Sequence, residues 1–110
     1  MVQATRKGVE SNDLEISIYW RFTAEAIDAT PDAPGVFAFF DEAGKLILMG
    51  SAAKSLVTIF RSHWKGLEGA ETCGASYMGW EEHNQPLKRE AELADRYMKR
   101  FGRAPRRRAG

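Results

Sequence analysis

The chain has 110 residues, 44% of them hydrophobic and 28% charged, which fits one globular domain and excludes a disordered chain. Its single cysteine, Cys73, excludes an internal disulfide and a multi-cysteine metal site, and the net charge of +1 is close to neutral. Met1 to Asp13 lacks the apolar centre of a signal peptide, and no apolar run approaches the roughly eighteen residues of a membrane span, so a cytoplasmic, membrane-free setting is expected.

Residues 1–13 read as a flexible lead. Leu14, Ile16, Ile18 and Trp20 then alternate with Glu15, Ser17, Tyr19 and Arg21, a strand pattern with the first set buried. Thr23 is placed to cap a short helix running to about Ala29, with Glu25 in its first turn. Pro31 and Pro34 break it. Two apolar runs follow, Val36 to Phe40 and Leu46 to Met49, on either side of Asp41-Glu42-Ala43-Gly44-Lys45. Both runs are too short for helices, and Gly44 can take positive φ, so the stretch predicts a β-hairpin.

After Gly50 the period changes. Ala52, Leu56, Ile59, Phe60 and His63 share one helical stripe, with Trp64 at its margin and Gly66 as the stop. Lys54, Thr58, Arg61 and Lys65 fall on another face. Residues 66–73 predict a loop, and alternation from Ala75 to about Glu82 predicts a third core strand. Asn84-Gln85-Pro86 opens a last helix, because proline suits the first helical turn. Its apolar stripe is Leu87, Ala91, Ala94, Tyr97, Met98 and Phe101, with Glu90 inside the stripe; Gly102 and Pro105 end it. The chain therefore divides into a lead over 1–13, one domain over 14–102 and a basic tail over 103–110. Helices mixed with antiparallel strands give an α+β class, a small antiparallel sheet with helices packed on it.

The charge is unevenly spread. Lys99, Arg100, Arg103, Arg106, Arg107 and Arg108 are followed and separated by no acid, so the first 98 residues carry ten basic against fifteen acidic residues, a net −5. Such a tail is either a solvated terminus or a contact for phosphates. Lys54, Arg61 and Lys65 pose the same choice between a solvated face and a binding stripe. Trp20, Trp64 and Trp80 can stack bases or fill the core margin. Glu90 is a metal ligand or a carboxylate paired with an arginine, because an unpaired buried charge is costly. His63 is a packed helix residue or a catalytic base.

Gly35-Val36-Phe37, followed after ten residues by Leu48-Met49-Gly50, resembles the signature of the GIY-YIG nuclease superfamily. The run GSAAKSLVTIFRSHWKG is similar to that family's first helix, and Glu90-Ala91-Glu92-Leu93-Ala94-Asp95-Arg96-Tyr97 to its later one. The resemblance spans roughly residues 34–105. It implies a nucleic-acid phosphodiester substrate and, if the chain cleaves, one Mg2+ or Mn2+ held by Glu90. Members use two tyrosines and an arginine to activate water and offset phosphoryl charge. Here Phe37 and Leu48 stand at the tyrosine positions, and Ile59 or Thr58 at the arginine. Losing a general base costs about two to four orders of magnitude in rate, so the family mechanism is not expected unmodified.

The resemblance thus implies a degenerate domain that binds DNA or another nucleic acid through Lys54, Arg61, Lys65, Arg106, Arg107 and Arg108. Two alternatives stay open: an endonuclease with a site rearranged around Glu90, Arg61 and His63, and a protein-interaction module on the same fold. Tyr19 and Tyr77 are spare phenols, and Cys73 has no assigned role.

Overall fold

A computed structural model describes residues 13, 14, 16, 18–65 and 75–109, with the side chains of residues 108 and 109 left out. The elements run β1 (Ile18–Arg21), α1 (Ala24–Asp28), β2 (Gly35–Phe40), β3 (Leu46–Ala52), α2 (Leu56–Trp64), β4 (Tyr77–Glu82), α3 (Pro86–Phe101) and β5 (Arg107–Ala109). They form an α+β domain built on a five-stranded sheet of order β1-β4-β2-β3-β5. The first four strands in that order are antiparallel; β5 joins β3 in parallel.

The hairpin is the centre of this sheet. All six residues of β2 are buried, because β3 and β4 flank it and helices cover both its faces. That double burial explains a continuous apolar run rather than an alternating one. The turn closes through Asp41, whose carboxylate accepts from the backbone N–H groups of Ala43 and Lys45 at 2.9 Å each. Gly44 sits at φ 82°, a left-handed conformation that side chains with a Cβ resist. An extra residue, Ile47, bulges β3 opposite the Phe39–Phe40 step.

Pleating divides the core in two. Val36, Ala38, Phe40 and Met49 face α3 through Leu93, Ala94 and Tyr97. Phe37, Phe39 and Leu48 face α1 and α2 through Ile27, Leu56, Val57 and Phe60. Thr23 caps α1 through its hydroxyl, accepting from Ala26 N–H at 3.1 Å, and Ser55 caps α2, accepting from Thr58 N–H at 3.3 Å. Arg21 clasps Glu42 with two bonds of 3.1 and 3.3 Å, tying β1 to the hairpin turn.

Three expectations shift. First, Tyr19 is buried on the α3 face, stacked on Tyr77 and edge-on to Phe40, while Ile18 and Trp20 are only partly covered. Leu14 and Ile16 precede β1, so the alternation read through them does not carry into the strand. Second, the buried line of α3 is Glu90, Leu93, Ala94 and Tyr97, and Leu87, Ala91 and Met98 are exposed. Third, the basic tail is not wholly a tail, since Arg107–Ala109 form β5. Residues 1–12, the stop at Gly66, the loop over 66–73 and Cys73 lie outside the described residues.

Candidate nucleic-acid interface

The hairpin positions that resemble the GIY-YIG signature belong to the core. Phe37 is fully buried, with its ring 6.2 Å from Phe60 and 5.7 Å from His63, and Leu48 lies in the same cluster. Gly35 is glycine for a packing reason: a Cβ there would come within 2.2 Å of the Glu81 carbonyl oxygen and 2.8 Å of Leu56. Gly50 pairs with Phe37 across the hairpin, and Ile59 packs partly buried against the same cluster. His63 is buried against Phe39, with ring centroids 4.5 Å apart, which keeps its imidazole away from any ligand at the surface.

Glu90 lies on the other side of the sheet. It is 5% exposed, on the turn of α3 before Leu93 and Ala94, and so faces the cluster containing Met49. Arg107 pairs with Met49 in register, which directs its side chain to the same face, and its Nε donates to Glu90 Oε2 at 2.7 Å. Beside this pair, Arg89 forks onto Glu81 at 2.8 and 3.2 Å and reaches Glu92 at 3.2 Å. The bond from Glu81 holds the Arg89 guanidinium above its ordinary range. Of the two readings of Glu90, the arrangement has the carboxylate paired with an arginine.

This geometry does not fit a metal. Mg2+ retains several waters, whereas the Glu90 carboxylate is enclosed and one of its oxygens is taken by a guanidinium that would repel a cation. Among the described residues no group of three potential ligands converges on any point. Arg61, on α2, sits on the opposite side of the sheet from Glu90, and His63 is enclosed beneath α2. The three residues read from sequence as a catalytic set are therefore not brought together. Sequence reasoning also gave Arg107 to phosphate; the signal pointing elsewhere was Glu90 itself, a buried acid requiring a cation.

What the structure leaves in solvent is the outer face of α2. Lys54, Thr58, Arg61 and Lys65 are all exposed along it. Arg61 makes one surface ion pair of 3.3 Å with Asp28, and Lys54 and Lys65 have no acidic partner among the described residues. Trp64, 51% exposed, stands at the margin with its ring edge-on to Phe22 at 5.3 Å. Trp20 and Trp80 instead meet edge-on at 5.7 Å and are half-buried. Arg106 is exposed just before β5, and Arg108 pairs through its backbone with Gly50.

The first three amides of α2 are already taken. Leu56 N–H donates to the Ala33 carbonyl at 2.8 Å, Val57 N–H to that of Pro31 at 3.3 Å, and Thr58 N–H to Ser55 Oγ. An anion meeting this turn would find its partners in the side chains. Next to this turn, Ala52, Ala53, Lys54, Ser55, Thr58 and Ile59 line an open groove of about 460 Å3. Compared with protein-family models, curated proteins and solved structures, the chain shows no match.

Proposed function

We propose that the protein is a degenerate GIY-YIG-type domain that binds nucleic acid through phosphate contacts, with little or no cleavage of its own. The observation that carries this reading is the row of exposed cations along α2 and its two ends, Lys54 before the helix, Arg61 on it and Lys65 just after it, the two lysines without an acidic partner among the described residues. Cations left in solvent lose little on meeting a polyanion, and each releases a counterion from it. Buried Phe37 and Leu48, and a Glu90 already paired with Arg107, support the absence of family chemistry. A cytoplasmic setting accords with it, and no helix among the described residues is long and apolar enough to cross a membrane.

The test is binding of labelled oligonucleotides across a salt series, with and without Mg2+ or Mn2+. Three phosphate contacts predict roughly a 40-fold loss of affinity between 50 and 200 mM salt. The triple variant Lys54→Ala, Arg61→Ala, Lys65→Ala should flatten that dependence by about 2.7 in log–log slope. No binding at low salt, or an unaltered slope in the triple variant, sinks the reading. Strand cleavage with either metal that disappears in Glu90→Gln would favour the nuclease instead.

A second reading, a protein-interaction module on the same fold, has one observation in its favour. Leu87, 72% exposed, Ala91 and Met98, 47% exposed, line one side of α3. If nucleic acid fails to bind while Leu87→Glu abolishes association with a protein partner, this reading replaces the first.

A further inference from the structure

We propose that the groove beside the first turns of α2 holds an unstacked nucleobase, so that the interface selects single-stranded nucleic acid over duplex. The inference rests on the phosphate-binding reading above and adds the form of nucleic acid that this face takes. The groove's volume, about 460 Å3, falls within the range of sites that enclose small organic groups. Its walls combine three small or apolar side chains, Ala52, Ala53 and Ile59, with two hydroxyls and one ammonium. A planar ring can lie against the exposed Ala53, where a larger side chain would stand in its way, with the buried Ala52 forming the floor beneath.

The polar lining suits a base edge. Thr58 Oγ1 and Ser55 Oγ share one hydrogen bond of 3.0 Å, and Ser55 Oγ also accepts from Thr58 N–H. Whichever hydroxyl supplies the shared proton, the pair keeps one O–H to donate and lone pairs to accept. Every nucleobase presents both kinds of group on its Watson–Crick edge, and in a duplex that edge is already paired. Lys54 lines the groove just before α2, and Arg61 and Lys65 follow on the helix and at its C-terminal end, so the cations flank a helix about 13 Å long, enough for two or three consecutive phosphates. A duplex can meet the cations but cannot fill the groove without extruding a base, which costs unstacking energy.

The experiment compares three probes at one salt concentration: a single-stranded oligonucleotide, the same strand annealed to its complement, and the strand with abasic sites. The expected result is about tenfold tighter binding of the intact single strand than of the duplex, with the abasic strand reduced to the duplex level. Ala53→Leu, which fills the groove at an exposed position, should bring the single strand to the same level and leave duplex affinity and the unfolding midpoint unchanged. Equal affinity for single strand and duplex, or undiminished binding of the abasic strand, overturns the groove proposal and leaves the phosphate reading standing. Absence of binding to all three probes overturns both.

Discussion

The two sides of the sheet differ in whether a charged group enters the buried layer. Under α3, charge is taken into the fold: Glu90 sits in the buried line of the helix and is answered by Arg107, and Glu81 and Glu92 are answered by Arg89. Over α2, the buried layer is aromatic and aliphatic, and the cations stand outside it in water. The Glu90–Arg107 pair, with its acid buried and its guanidinium half-exposed, has spent its attraction within the fold. Cations held outside keep theirs for a ligand. The difference lies in what each face buries, since α3 too carries exposed cations, Lys88 and Arg96 among them, on its outer side.

That contrast can be broken experimentally, and the largest effect belongs to the aromatic side. Phe37→Tyr adds a hydroxyl at a fully buried position, where it has to fit among Phe39, Phe60 and His63. It should cost about 2–4 kcal/mol in denaturant unfolding, from crowding and an unsatisfied hydroxyl, and confer no metal-dependent cleavage. Arg107→Ala comes next, at about 2 kcal/mol, because it strands the Glu90 carboxylate; the value lies below that of a fully buried pair since Arg107 is partly solvated. Replacing both partners with leucine should recover most of the loss, read from the same unfolding curves.

Tyr19→Phe has a smaller effect and the opposite sign. The Tyr19 hydroxyl is buried with no hydrogen-bond partner among the described residues, so its removal should stabilise the fold by about 1 kcal/mol. Burial first, and then the neighbouring Tyr77, Asp41, Asp13 and Glu42, hold this phenol un-ionised well past its ordinary range. The unfolded chain gives up that proton first, so wild-type stability should fall as pH rises above about 10, and the variant should lose this part of the decline. The smallest effect is on α2. Lys54→Ala with Lys65→Ala should change stability by less than about 0.5 kcal/mol, measured by thermal unfolding, while weakening nucleic-acid binding. A large loss of stability there would mean that these lysines belong to the fold after all.

Much of the architecture was legible because each helix and hairpin carries its own local signature. Gly44 between two apolar runs announced the turn, Thr23 and Pro86 announced helix starts, and Leu56, Phe60 and His63 marked the buried face of α2 against Thr58 and Arg61. Ala52, read into that stripe, instead ends β3, and Val57, left out of it, is buried. Strand β5 was not legible. Its residues, Arg107-Arg108-Ala109, have no apolar alternation, and only the free edge of β3 makes a strand of them. The buried line of α3 was missed for a related reason. Counting apolar residues favoured Leu87, Ala91 and Met98, whereas Arg107 allows a carboxylate to occupy the centre of the covered face. The cations of the interface were visible in sequence. Which of them were already committed to an acid depended on pairing across 17 positions between Glu90 and Arg107, beyond any local pattern.

The central position of β2 also bears on the order in which the domain assembles. Its pairing with β3 needs only the short turn at Asp41–Lys45, but its pairing with β4 must close a loop that includes all of α2. The entropy of closing the shorter loop is smaller and its time scale faster. The hairpin is therefore placed to act as the folding nucleus, with β4 and then β1 docking outward from one side and β5 from the other. Amide protection in a pulsed-exchange refolding experiment should appear first between Ala38 and Met49, with the β1 and β5 edges protected last.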